Sequence, residues 1–332
     1  MKTGIIAAML AGLLLTTALV AYRGFAEISG LLLSAGWGLV VVALLHLIPA
    51  TLSSLAWCSL VAPADRKPGF VFLIARLVRE GASHLLPVAQ VGAELIGART
   101  LTLYGAKADV AGASVAVDLF MEVVTQFLFT LFGLLLLVLA GVHNSTVFWL
   151  FIGLAAMIPV LGACVMAQRS GVFKLVEQWV EKLAAKWPWM SLGSVDGLHE
   201  SIQSMCRNRN GLLAAGALHM MAWLLGGAEV WLALYFMGHS VSVQQALILE
   251  SLGMAIRGAA FLVPGALGVQ EGGLMLVGVM VGLSPDAGLA VSLAKRLRDL
   301  LLGIPALLKW QFLETRKVWL DRNPADTPQS KP

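Results

Sequence analysis

Six apolar runs, residues 4–22, 37–61, 110–140, 147–167, 211–237 and 286–309, leave this chain little choice of solvent. Each is close to or beyond the roughly 20 residues that cross a hydrocarbon core. Inside a bilayer every backbone N–H and C=O must be satisfied within the protein, so such runs are expected to be helices. Composition agrees, with 58% of residues hydrophobic and only 13% charged, far from the balance of a soluble globular domain. The first run follows a single lysine, is longer than a signal-peptide core and lacks a small-x-small exit. It reads as an uncleaved anchor.

Charge placement sets the expected orientation. Residues 168–210 form a long polar insert carrying Arg169, Lys174, Lys182, Lys186, Arg207 and Arg209. Within it, residues 172–183 have apolar side chains at helical spacing and charges opposite, the pattern of a helix lying along the bilayer surface. The C-terminal tail, residues 316–332, begins with Arg316 and Lys317, and from Asn323 onward it is polar and proline-rich, a composition that favours disorder. The positive-inside rule puts both segments in the cytoplasm, while the lysine- and arginine-free loops around His143 and His239 fall outside. Both termini are then cytoplasmic. The net charge of +4 sits mostly in these loops and calls for no nucleic-acid partner. Three scattered cysteines, Cys58, Cys164 and Cys206, make neither a disulfide framework nor a metal site.

Residues 70–104 and 243–283 do not fit the pattern of plain spans. They hold two stretches with a common frame, Pro87-Val-Ala-Gln-Val-Gly-Ala-Glu94 and Pro264-Gly-Ala-Leu-Gly-Val-Gln-Glu271. Each begins with proline, continues through small residues and ends in glutamate, and each follows an arginine, Arg79 or Arg257. Arg76, Arg79, Glu80, Glu94, Arg99, Glu250, Arg257 and Glu271 all lie in these segments. Facing lipid at mid-depth they would cost about 20–28 kcal/mol, more than the whole stability of an ordinary domain, about 5–15 kcal/mol. Such segments must line a watery cavity or stop short of lipid. We read each as a re-entrant hairpin, two half-helices around a proline-glycine break. The helix before each also matches, Ala-Leu-Leu-His46 with Trp57 against Gly-Ala-Leu-His219 with Trp231. The expected architecture is all-α, with about six spanning helices and two re-entrant hairpins in an inverted repeat. Its membrane domain covers residues 1–315, with repeats at about 37–140 and 211–309.

Arg76 and Glu80 are spaced i,i+4 with His84 a turn further on, which suits either an internal ion pair or an anionic headgroup site assisted by Arg79 and Arg99. Amides at half-helix N-termini after each proline would add donors. In the second motif Pro264, Gly265, Gly268, Gln270 and Glu271 combine a sharp break with polar groups, and glycines there suit close backbone approach to a ligand or tight helix packing. Glu250 and Arg257, seven apart, look toward the same centre. Arg257 is expected to bind the headgroup, with Glu271 orienting it or exchanging a proton. Asp118, Glu122 and Gln126 form a polar stripe after the first hairpin, with Asp118 and Glu122 suited to a proton relay. At the matching place after the second hairpin, Lys295 and Arg296 are spaced to pair with Asp299. His46 and His219 read as buried hydrogen-bonding histidines, and the ten tryptophans as interface anchors.

No catalytic residue, cofactor or metal is expected. Gly81-Ala-Ser-His84 lacks the second glycine of a Gly-x-Ser-x-Gly nucleophile turn, and no His-Glu-x-x-His pair occurs. An intramembrane polyisoprenyl-phosphate hydrolase is the nearest enzymatic alternative. Undecaprenyl-pyrophosphate phosphatases carry Ser-Arg-Ser after their Pro-Gly, whereas Pro264-Gly265 here leads to Ala266-Leu-Gly.

The segments from Arg76 to Arg99 and from Gly258 to Gly273 resemble the lysylphosphatidylglycerol synthase transmembrane family, whose members are flippase-like. Their wording is most similar to a branch associated with hopanoid biosynthesis. The resemblance implies a bacterial inner-membrane protein that moves a lipid between leaflets or toward the outer membrane, with hopanoid or a related polar-headed lipid as cargo. The aminoacyl-transferase domain of the synthases has no counterpart here, so lipid aminoacylation is not implied. A scaffold for lipid-synthesis enzymes is the non-transport alternative, although a scaffold has no need of charges repeated at membrane depth.

Overall fold

The computed structural model describes residues 33–86, 89–142, 152–155, 197–260 and 266–322, with Gly30, Pro159 and Val263. Every regular element named below is an α-helix, and no strand occurs among the described residues. The expected anchor at 4–22, most of the run at 147–167, the surface helix at 172–183 and the tail from Asn323 onward lie outside the described residues, as do Pro87, Pro264 and Gly265.

The chain forms α1 (Gly38–Leu45), α2 (Leu47–Leu60), α3 (Gly69–Leu85), α4 (Ala89–Leu103) and α5 (Ala108–Leu139), followed by α6 (Leu198–Arg207). It continues through α7 (Arg209–Phe236), α8 (Val243–Ala259), α9 (Val269–Met280) and α10 (Pro285–Arg322). Three helical stretches are long and apolar enough to cross a membrane: Gly38–Leu60, Ala108–Leu139 and Arg209–Phe236. They match three of the six runs picked from sequence. The first is a pair of helices jointed at His46 rather than one rod. The run expected at 286–309 is part of a helix that continues to Arg322, past residue 315 and through Pro305.

Local sequence explains the shorter helices. Val71, Phe72, Ala75, Val78 and Ala82 recur three or four apart and give α3 one buried apolar face. In α6, Leu198, Ile202 and Met205 do the same against α5, while Ser201 donates to Asp109 at 3.0 Å. Ser242 and Gln245 close a reciprocal cap at the start of α8. Gly268 caps α9 with φ +79°, a left-handed conformation that favours glycine, and its N–H donates to Glu271 Oε2 at 2.7 Å.

Two sets of helices share one order: α2, α3, a break, α4, α5; then α7, α8, a break, α9, α10. In both sets the helices flanking the break fold back on each other. Arg79 reaches Glu94 across the first break, and across the second Arg257 meets Gln270, Ile256 approaches Gly273 and Gly253 approaches Leu274. Several contacts recur when the two sets are exchanged, although α7 also packs on α5 with no equally close contact of α2 on α10. α2 packs on α3 as α7 packs on α8, and α4 packs on α5 as α9 packs on α10. The sets are also interlocked, since α3 rests on α10 of the other set and α8 rests on α5. Small residues make both seams. A Cβ at Gly81 would lie 3.0 Å from the Gly303 backbone, and one at Gly133 would overlap the Ser251 side chain.

The two largest buried apolar clusters among the described residues gather around Trp57, Phe72 and Leu101 and around Leu134, Leu234 and Leu249. Leu131, Leu135 and Leu139 on α5 and Ile304 and Leu308 on α10 point outward and are exposed. Among the described residues, nineteen polar or charged ones are buried, including Arg79, Glu94, Asp118, Glu229, Glu250, Glu271 and Arg298. Apolar side chains outside and charges inside are the arrangement a lipid solvent requires. Trp57 departs from the interface role expected of the tryptophans: it is fully buried, edge-on to Phe72 at 5.6 Å and donating to Ser114 at 2.9 Å.

Candidate functional site

A cavity of about 160 Å³ lies between the two helical sets. The first set contributes His46, Pro49, Ala50 and Ser53 from α2 and its joint, Arg76, Arg79, Glu80, Ser83 and His84 from α3, and Glu94 and Glu122 from α4 and α5. The second contributes Ala222, Trp223, Gly226 and Glu229 from α7, Glu250, Met254 and Arg257 from α8, and Arg298 from α10. Its volume equals about five water molecules at roughly 30 Å³ each.

Charges on the first side are closely paired. Arg76 donates to Glu80 at 2.6 Å and to Glu122 at 2.5 Å. Arg79 donates to Asp118 at 2.8 Å, bonds Glu122 through its other terminal nitrogen, and lies 3.2 Å from Glu94. Its guanidinium carbon sits 5.5 Å from the Trp57 ring centre, a cation–π contact. The second oxygen of Asp118 is held by His219 at 3.0 Å. Glu94 Oε2 is near Arg79 but outside hydrogen-bonding geometry, which makes it the least satisfied carboxylate oxygen of this cluster.

The second side is organised around Arg298 and Asp299. Arg298 donates to Glu229 and to Asp299, both at 2.7 Å, and the other oxygen of Asp299 meets His84 at 2.8 Å. Lys295 pairs with Glu250, and Arg296 with Glu271. Arg257 donates to Gln270 at 3.0 Å, and its nearest carboxylate oxygen, on Asp299, is 3.8 Å away. His46 joins the two sides, with Nδ1 2.8 Å from Glu229 and Nε2 3.4 Å from Glu80. A neutral imidazole has one N–H and one acceptor nitrogen, so bonding both carboxylates requires the imidazolium or a protonated carboxyl. A continuous polar chain thus runs from His219 through Arg79, Arg76, His46 and Arg298 to His84.

Of the residues singled out in the sequence, Arg79, Glu80, Glu94, Glu250, Arg257 and Glu122 line the cavity, and Asp118 stands directly behind it. Arg99 does not. It forms a two-pronged pair with Glu314 of α10, at 2.8 and 3.0 Å, because α4 turns that face toward α10. Glu271 does not orient Arg257 either. It is fully buried, caps α9 and binds Arg296, and the neighbour Gln270 takes the place expected of it beside Arg257. The Gly268 amide, expected as a ligand donor, is used by that cap. Lys295 and Arg296 turn away from Asp299, toward α8 and α9, leaving Asp299 to Arg298. Gln126 meets only Thr130 at 3.4 Å and stays out of the charged network. Sequence reasoning missed Glu229, although a lone carboxylate in an apolar run as long as 211–237 is itself a signal. Among the described residues no group of three or more His, Cys, Asp or Glu is placed to hold a metal ion.

A helical bundle with lipid-facing apolar flanks and a charged interior cavity defines a polytopic membrane protein. The chain matches the family described as the lysylphosphatidylglycerol synthase TM region over residues 5–306 and belongs to it, which makes it a lipid-related membrane protein. Neither a comparison with curated proteins nor one with solved structures found a match.

Proposed function

We propose that this protein is a lipid translocator of the bacterial inner membrane, moving a polar-headed lipid between leaflets or onward to the outer membrane, without chemical change to it. The observation that carries this reading is the cavity itself, which is charged, sits between two interlocked helical sets and draws lining residues from both. A site shared in this way changes its exposure when one set rocks against the other. In this reading the matching packing of the two sets is an inverted repeat, and α3–α4 and α8–α9 are re-entrant hairpins. None of these four helices exceeds 17 residues, short of the roughly 20 that span a bilayer. The cavity has room for a headgroup but not for acyl chains or a fused-ring skeleton, which stay in the lipid. Both termini face the cytoplasm, and hopanoid is the cargo that the motif wording favours. A partnership with lipid-synthesis enzymes fits the same place in the cell.

The test is transport in vesicles reconstituted with the full chain. Headgroup-labelled lipid should become accessible to an external quencher at least tenfold faster than in protein-free vesicles. Ser53→Phe, which fills the cavity from α2, should remove most of that gain while protein level and melting stay near normal. Wild-type vesicles no faster than empty ones, for both hopanoid and glycerophospholipid probes, would sink the proposal.

A further inference from the structure

Four arginines line the cavity, and three are already neutralised. Arg76, Arg79 and Arg298 each contact at least two carboxylates within hydrogen-bonding distance. Arg257 differs. Its closest carboxylate is Asp299 at 3.8 Å, beyond a hydrogen bond, and both oxygens of Asp299 are engaged elsewhere, by Arg298 and by His84. The close partner of Arg257 is the neutral carbonyl of Gln270 at 3.0 Å. Gln270 is itself fixed, because its amide nitrogen donates to Ser292 at 3.1 Å and so turns its oxygen toward Arg257. A neutral acceptor orients a guanidinium without cancelling its charge. Both contacts use Nη1, and among the described residues Nε and Nη2 meet no partner. That leaves one planar edge of the guanidinium open, the edge suited to two-pronged binding of carboxylate or phosphate.

A partly buried guanidinium whose nearest carboxylate lies 3.8 Å away gains from an anion that completes it. We infer that Arg257 is the docking point for an anionic group, a phosphate or carboxylate, carried by the lipid that enters the cavity. The inference rests on the translocator reading for its source of anions and supplies the chemical class of its headgroup. Gln270 is the positioning residue. Asp299, 3.8 Å away and already held on both oxygens, is too distant to compete well for the open edge.

Binding can be read without transport, which separates failure of this inference from failure of the function. The full-length protein in neutral detergent is melted with increasing phosphatidylglycerol, with uncharged diacylglycerol, or with inorganic phosphate. A ligand that binds only the folded state raises the melting temperature. Phosphatidylglycerol should raise it by several degrees and diacylglycerol should not. Half-saturation should weaken at least tenfold in Arg257→Gln and severalfold in Arg257→Lys, which keeps the charge but not the fork. Arg99→Gln, whose arginine pairs with Glu314 away from the cavity, should respond as wild type does. If inorganic phosphate reproduces the Arg257-dependent shift, the anion alone is recognised. A response to the lipid but not to free phosphate assigns the site to a headgroup. The inference is overturned if Arg257→Gln, or Arg257→Lys where the first does not fold, binds phosphatidylglycerol as wild type does. It is equally overturned if diacylglycerol matches phosphatidylglycerol.

Discussion

Arg79 and Arg257 hold matching places in the two hairpins, each reaching across its break to the helix beyond, yet their surroundings are opposite. Arg79 meets Asp118, Glu122 and Glu94 and stacks near Trp57. Arg257 meets Gln270, with a carboxylate only at 3.8 Å. The position of Glu94 in the first hairpin is taken by an amide in the second. One helical set uses its arginine to hold four helices together, and the other leaves its arginine beside a neutral amide. Two helical sets of like order thus differ in chemistry, one clamping its arginine with carboxylates and the other leaving it with a neutral partner.

The largest expected effect tests that asymmetry directly. Arg79→Gln leaves the buried Glu94 without its cation, while Glu122 keeps Arg76 and Asp118 keeps His219, and removing one partner of a buried charge cluster costs about 3–5 kcal/mol. Arg257→Gln loses one hydrogen bond to a neutral group, about 1 kcal/mol, and a longer contact with Asp299, which keeps Arg298 and His84. Denaturation in detergent, with membrane protein levels alongside, should therefore show a large loss for Arg79→Gln and a small one for Arg257→Gln. Equal losses would mean that Arg257 is clamped as firmly as Arg79, and the contrast would fail.

Where the repeats are alike, the same measurement should return like values. Gly81 meets Gly303 on the α3–α10 seam, and Gly133 meets Ser251 on the α5–α8 seam. Forcing bulk into a packed contact costs about 1–3 kcal/mol, so Gly81→Leu and Gly133→Leu should each lose about that much. A loss confined to one seam would show that the two sets are not held together in the same way.

Much of this was legible in the chain. The apolar runs at 110–140 and 211–237 gave their helices because more than twenty predominantly apolar residues have few other ways to exist in lipid. The twin frames around Glu94 and Glu271 pointed to helices that break and fold back on each other, and the cost of burying Arg79, Glu80 and Arg257 pointed to a shared cavity. Partner choice was not legible. Spacing along one helix suggested Lys295 with Asp299, but both residues face other helices and find Glu250 and His84 there. Glu271 and Gln270 are adjacent in sequence and a helix turns them apart by about 100°, since 3.6 residues complete a turn. A frame that ends at glutamate cannot say which of the two looks inward. Glu229 escaped notice because its partners, His46 and Arg298, are each far away in sequence.

The smallest expected change in stability makes the sharpest test of the contrast. Gln270→Glu would give Arg257 the carboxylate that Glu94 offers Arg79, turning the second repeat into a copy of the first. A buried pair roughly balances its desolvation against its attraction, so the net stability change should stay within about 1 kcal/mol. Ligand response should not stay constant. With the guanidinium neutralised in place, half-saturation for phosphatidylglycerol should weaken at least tenfold in the melting titration. The reciprocal change, Glu94→Gln, should create no second anion site, because Asp118 and Glu122 still hold Arg79. Should Gln270→Glu bind phosphatidylglycerol as wild type does, the neutral neighbour is incidental, and what separates the two repeats is packing rather than charge.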